Sequence, residues 1–371
     1  MKSLIINLCL LSVLFWCTHC FSHRTKTDPT PSGDTLVGVP IPEHPDFVLD
    51  TTRTSDTDSL LGASQRFGTQ QIFELSELTH MDGQYSQQPD FSGKSTTLGF
   101  TFVAPHPDTM SRRPFILILH EGALLFGDRG LELEKAKLLA QKGFAVATID
   151  YRLGFAGGSQ QDACGSNSQE VAKAIYRATQ DTFTALHFFL SQSEQFGLDS
   201  AQVFLAGSSA GAIVIASLAY MTERDFSSLF PGISSVLGPL DALQAHRQFK
   251  LRGLLTTTGF ALPVSNQFRA TNARPTLFFQ KEKDDILPNI LGPLFGCNHY
   301  FNCIGSDSLS KKLAEHGIAT QLNIETGQGH LLAFPNQYIV DQYAAFIRRL
   351  WNKDYRQRIY KDYDLMMDQP Y

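Results

Sequence analysis

Basic clusters are missing from this chain. Its 371 residues carry 31 Lys and Arg against 36 Asp and Glu, a formal net charge of −5, with no cationic run. A phosphate backbone is gripped by concentrated positive charge, so nucleic acid is not an expected partner. Cysteine is sparse: there are six, and Cys9, Cys17 and Cys20 all stand within the first twenty residues. The remaining Cys164, Cys297 and Cys303 show no zinc-like spacing, so no metal site is expected, and no cofactor-binding motif stands out. The N-terminal apolar run from Leu4 to Trp16 is short of the roughly 20 residues that cross a bilayer. No internal repeat divides the chain.

What is present is the composition of a globular protein, 43% hydrophobic and 18% charged, which excludes disorder throughout. Lys2, the apolar run and the small or polar residues after it read as a secretory signal peptide over residues 1–22. Export, to the outside or to a periplasm, is therefore expected, with no stable membrane insertion after cleavage. Trp16 and His19 are bulky where a lipoprotein signal places a small residue, which disfavours anchoring through Cys17 or Cys20. In an oxidising compartment Cys164, Cys297 and Cys303 give one disulfide and one free thiol. Cys297–Cys303 and Cys164 with either partner all remain open.

Residues 23–68 are rich in Thr, Ser, Asp and Pro and read as a flexible arm or linker. A regular pattern starts near Ser95. Strands are expected at Thr96–Ala104, Pro114–Leu119, Phe144–Asp150, Val203–Ala206, Leu251–Thr257, Pro275–Gln280 and Thr320–Glu325. Helical spacing marks Leu131–Lys142, Ser168–Gln192, Ser308–Glu315 and Gln337–Trp351. Continuous apolar strands alternating with helices imply an α/β fold, a mostly parallel sheet covered on both faces, in a domain over 69–351. Sites in such sheets lie at the strands' C-terminal ends. The tail 352–371 is polar.

Val203–Leu218 is the stretch the chain is arranged around. A short apolar strand runs into Gly207-Ser208-Ser209-Ala210-Gly211 and straight on into a helix of small residues. Such a turn strains its central residue and pushes that side chain out, at a helix N-terminus that favours negative charge. Ser209 is thus a candidate nucleophile. Three later or earlier strand ends supply what it needs. His120-Glu121-Gly122-Ala123 can aim backbone N–H groups, with that of Ala210, at a developing oxyanion. The charged run Lys281-Glu282-Lys283-Asp284-Asp285 can place an acid, and Gly327-Gln328-Gly329-His330 can place a base free of helix packing. Each stretch alone has an ordinary structural reading. Together, in the order serine, acid, histidine, they form a set.

On these residues, with Asp150-Tyr151-Arg152-Leu153-Gly154, Gln180-Asp181 and Asp284-Asp285-Ile286-Leu287-Pro288, the chain resembles an α/β-hydrolase of the carboxylesterase/lipase type from about Thr96 to Trp351. The resemblance implies that fold with a small lid, a Ser209–His330–Asp284 triad with Asp284 preferred over Asp285, and oxyanion donors at Gly122, Ala123 and Ala210. It also implies a structural Arg152–Asp181 ion pair. Glu121 and Ala123 depart from the family's glycines, and a donor that carries a Cβ is expected at negative φ.

The expected function is that of a secreted serine esterase acting through an acyl-enzyme, with no cofactor. Thr222–Arg247 is the expected lid. Its modest size points to short-acyl esters or esters carried on carbohydrate, with Leu124, Leu125 and Phe126 as candidate acyl-side residues. A serine peptidase of the same fold and a catalytically degenerate binding module are the alternatives.

Overall fold

The strands that the sequence marks as apolar lie side by side and carry the rest of the molecule. The structure, a computed structural model, describes residues 56–263, 268–269 and 271–362. The expected signal peptide and residues 23–55 of the expected arm lie outside the described residues. A helix α1 (Asp56–Ala63) precedes a hairpin of β1 (Leu78–Pro89) and β2 (Ser95–Pro105). Then follow β3 (Arg113–Leu119), α2 (Leu133–Gln141), β4 (Ala145–Ile149), α3 (Ser168–Ser191), the single turn α4 (Ser193–Phe196), β5 (Leu198–Ser208) and α5 (Ala210–Tyr220). Two short helices, α6 (Glu223–Leu229) and α7 (Ile233–Leu237), lead to β6 (Leu251–Thr257), β7 (Leu262–Pro263) and β8 (Thr276–Lys283). The chain closes with β9 (Leu291–Pro293), β10 (Asn302–Ile304), α8 (Ser306–Glu315), β11 (Thr320–Gln328), α9 (Asn336–Trp351) and β12 (Arg358–Lys361).

Nine strands form one sheet in the order β1-β2-β4-β3-β5-β6-β8-β11-β12. β1 with β2 and β2 with β4 are antiparallel, and every other pairing in this sheet is parallel. The two faces follow from the period of two. Phe115, Leu117 and Leu205 point into a core beneath α3 and α5, while Ile116, Ile118, Phe204 and Ala206 point into a second core beneath α1, α2 and α9. Both faces are therefore covered, which is why the strands read as unbroken apolar runs. β7, β10 and β9 make a small separate sheet.

Three stretches differ from the sequence expectation. Residues 56–68 of the expected arm are docked on the body: Leu61 and Phe67 are buried, Phe67 against Trp351 at 5.5 Å, and Asp58 pairs with Arg252 at 2.8 Å. The helix there is too short to show a period, and what fixes it is partners distant in sequence. Thr222–Arg247, expected as a lid, packs along α3: Tyr176 donates to the Gly238 carbonyl at 2.8 Å and Gln180 to Leu237 at 2.9 Å. The chain needs that span to return from the end of α5 to the start of β6. The polar tail contributes β12, a parallel edge strand beside β11. Cys164 is bonded to Cys297, and Cys303 is buried and free. Among the described residues no helix is long and apolar enough to cross a membrane.

Candidate active site

The turn between β5 and α5 holds Ser209 at φ 48°, ψ −110°. A left-handed backbone at a residue with a Cβ costs roughly 1–2 kcal/mol. The neighbours enforce it. A Cβ on Gly207 would stand 2.5 Å from the Gly211 carbonyl carbon, and one on Gly211 would stand 2.3 Å from the Leu119 oxygen. Only glycine lets β5, α5 and β3 approach that closely. The Ser209 N–H donates to the Thr257 carbonyl at 2.9 Å, which ties the turn to β6.

Ser209, His330 and Asp284 meet although 121 and 46 residues separate their links. Ser209 Oγ lies 2.8 Å from His330 Nε2, and His330 Nδ1 lies 2.9 and 3.0 Å from the two Asp284 oxygens. With the carboxylate taking Nδ1–H, Nε2 is left to accept the Ser209 O–H. The Asp284 side chain is fully buried. It accepts from the N–H groups of Ile286 and Leu287 at 2.9 and 3.0 Å and from Gln280 Nε2 at 3.0 Å. Asp285 makes none of these contacts with His330. Gly327 and Gly329, at φ 109° and 105°, swing the histidine loop off β11, and the Gly329 N–H is anchored on the Lys283 carbonyl. Leu331, beside His330, is 67% exposed.

The loop after β3 is more strained than expected. Gly122, Ala123 and Leu124 stand at φ 120°, 53° and 65°, so Ala123 is not at the negative φ its Cβ favours. The loop is held by Leu125 and Phe126 N–H groups on the Gly122 carbonyl and by the complete burial of Leu124. Burying a leucine is worth about 1.5–3 kcal/mol, enough to offset the strain. Leu124 is thus a core residue, while Phe126 is 38% exposed. Among the described residues no acceptor takes the N–H groups of Gly122 or Ala123. Ala210 is the first residue of α5, where a helical N–H has no acceptor of its own.

Behind this loop the side chains are polar. His120 is fully buried, stacked on Tyr151 at 4.3 Å, with Nδ1 donating to the Glu121 carbonyl at 2.6 Å. Burial pushes its pKa down, which keeps the ring neutral. Burial, and then the nearby Glu132, push the Glu121 carboxyl up, against the pull of Lys135 and His330. Sequence reasoning missed one cluster entirely. Lys135 Nζ donates to Glu132 at 2.6 Å and to Ser208 Oγ at 3.0 Å, and Ser208 Oγ meets Thr257 Oγ1 at 2.9 Å. An acid and a lysine three apart where α2 must bury a face were the signal available. Arg152 and Asp181 pair at 2.8 Å, both buried. Among the described residues no group of His, Cys, Asp and Glu is arranged to hold a metal ion.

Residues 97–232 match the Carboxylesterase family. A probable N-octanoylanthranilate hydrolase of Rhodococcus erythropolis is 29% identical over 141 residues, 38% of this chain and 29% of that protein. Gut esterase 1 of Caenorhabditis elegans is 30% identical over 160 residues, 42% of this chain and 27% of its own. The chain thus spans under a third of the length of these curated relatives. Among solved structures, a propionate-bound thermophilic esterase of Thermogutta terrifontis superposes with TM-score 0.50 at 13% identity, over 75% of this chain and 96% of that one. Its native form gives TM-score 0.50 at 13% identity, over 75% and 94%.

Proposed function

We propose that this chain, an α/β-hydrolase of the carboxylesterase type, hydrolyses carboxylic esters with Ser209 as nucleophile. One observation carries the reading: the unbroken line of hydrogen bonds from Ser209 Oγ through His330 to the buried Asp284. In this mechanism His330 Nε2 takes the hydroxyl proton as Oγ attacks the ester carbonyl. The carbonyl oxygen becomes an oxyanion facing the N–H groups of Gly122, Ala123 and Ala210. His330 passes its proton to the leaving alcohol as the carbon–oxygen bond breaks. Water then enters, His330 removes its proton, and the acyl group leaves as an acid with Ser209 restored. Asp284 holds the imidazole tautomer throughout.

The substrate reading is a short-acyl ester or an acyl group carried on carbohydrate. It is supported by the modest size of Thr222–Arg247, a span that packs along α3. The likeness to an N-octanoylanthranilate hydrolase favours a second reading, cleavage of an aryl amide. Export is proposed as well, supported by Lys2 and the short apolar run from Leu4 to Trp16, which read as a leader, and by the Cys164–Cys297 bond, since such bonds persist in oxidising compartments.

The test is turnover of p-nitrophenyl esters of two to twelve carbons beside acetylated xylan and an octanoyl anilide. Hydrolysis of the short esters by the parent and none by Ser209→Ala supports the ester reading. Turnover of the anilide alone overturns it in favour of amide cleavage. Equal turnover by parent and S209A removes Ser209 as nucleophile.

A further inference from the structure

Lysine is an unexpected side chain to find beneath the nucleophile. Lys135 and Glu132 are buried, at 9% and 1% exposure, where an ammonium and a carboxylate lose most of their hydration. A buried pair rarely gains stability over apolar side chains of the same size, so its presence calls for another account. Its position offers one. Lys135 Nζ bonds Glu132 on one side and Ser208 Oγ on the other, the residue immediately before Ser209. From Ser208 the line continues to Thr257 Oγ1 at 2.9 Å, whose backbone carbonyl also receives the Ser209 N–H, and on to Tyr343 OH at 3.3 Å. Four elements, α2, β5, β6 and α9, are thereby fastened at the point where the strained turn begins.

The charges matter as well as the bonds. The ionisable groups around the pair are His120, Glu121 and Tyr151 near the oxyanion loop and Tyr343 on α9, all within electrostatic reach of Glu132. Glu121 in turn lies within reach of both Lys135 and His330, whose other charged partner is Asp284. A carboxylate beside the oxyanion loop opposes the charge that develops there, and a cation under the turn counters it.

Resting on the ester-hydrolase reading, we propose that Lys135 is a positioning residue for Ser209 and, with Glu132, sets the electrostatic field felt by His330. The ammonium locks the Ser208 hydroxyl and so the turn, and the pair balances Glu121.

The test compares Lys135→Met, Glu132→Gln, the double variant and Ser208→Ala by kcat, KM and the acid limb of the kcat/KM–pH profile on p-nitrophenyl acetate. Removing the cation favours the imidazolium, so K135M moves the midpoint of the limb up, by about half a unit or more. Removing the anion moves it down in E132Q, and the double variant returns to the parental midpoint. S208A keeps both charges, lowers kcat about tenfold with little change in KM, and leaves the midpoint in place. If K135M alone is not recovered folded, E132Q against the double variant makes the same comparison. Midpoints that stay put, or move together, in the charge variants overturn the inference, because a packing role predicts no charge-ordered shift. A parent that hydrolyses no ester fails the function reading instead, before any variant is compared.

Discussion

Thr257 holds the Ser209 turn from two directions: its carbonyl accepts the Ser209 N–H at 2.9 Å while its hydroxyl meets Ser208 Oγ at the same distance. The strained conformation of Ser209 is therefore fixed by β6, a different strand from the one that carries it. A turn held in this way keeps its shape when the side chain it presents is changed. Ser209→Ala is expected to leave the thermal midpoint within about 2 °C and to lower kcat by about 10⁴–10⁶-fold. Calorimetry and p-nitrophenyl acetate turnover on the same preparation check both halves.

Asp284 has two tasks, and substitutions separate them. Its oxygens receive His330 Nδ1 and also the N–H groups of Ile286 and Leu287. Asp284→Asn preserves shape and one acceptor oxygen but inverts the histidine tautomer, so kcat is expected to fall about 10⁴-fold with a modest stability loss. Asp284→Ala also strands the two N–H groups, at about 1–3 kcal/mol more. Urea midpoints should rank parent, D284N, D284A in falling order, while the two variants have similar kcat.

In the loop after β3, the proposed oxyanion loop, the strain and the close contact predict opposite results one residue apart. A Cβ at Gly122 would stand 1.9 Å from the Phe126 oxygen, so Gly122→Ala must displace the loop. It is expected to cost about 10²–10³ in kcat. Ala123 stands at φ 53°, and Ala123→Gly relieves strain of about 1 kcal/mol while keeping the N–H. That variant should be as active as the parent and at least as stable, read by Tm and kcat.

Much of this was legible in the sequence, for particular reasons. The strand ending at Leu119 and the helix ending at Trp351 announce themselves because burial on both faces of the sheet demands a continuous apolar run in the one and a wide apolar stripe in the other. Ser209, Asp284 and His330 could be brought together on paper because each follows a strand expected from the sequence. β1 was not legible: Leu78–Pro89 is an edge strand with mostly half-buried or exposed residues, so its sequence is polar and unpatterned. The Cys164–Cys297 choice was closed to sequence because a separation of 133 residues is bridged only by the fold. Glu132, Lys135 and Ser208 were hidden for the same reason, since a buried charge is invisible until its partner is placed.

The disulfide and the free thiol should behave differently. Cys164–Cys297 joins two loops that Tyr300 also links, its hydroxyl donating to the Ala163 carbonyl at 2.6 Å. The double Cys164→Ser, Cys297→Ser variant is expected to lose about 2–5 kcal/mol, measured by denaturant unfolding. Burial pushes the Cys303 thiol well up, so a thiol reagent should label it only after unfolding.

Acid should release α1 from the body. Burial alone would raise the Asp58 pKa, but hydrogen bonds and charge from Arg252 and a bond from Gln202 hold it below its ordinary value. A depressed carboxylate contributes stability that is present above its unfolded value, about 3.9, and lost as pH falls through the folded value. Between pH 7 and 5 the parent should keep this contribution, and below about pH 4 it should lose it. Asp58→Asn is expected to be less stable at pH 7 and to show a shallower decline below pH 4, followed by thermal midpoint against pH.

In the proposed reaction Ser209 itself becomes acylated. The most direct measurement is to treat the protein with a fluorophosphonate ester, digest it and locate the added mass. One adduct per chain on the peptide containing Ser209, formed in step with loss of esterase turnover and absent when His330 is replaced by alanine, is the expected result. Esterase turnover that disappears with Ser209 unmodified and the adduct on another residue contradicts Ser209 as the nucleophile.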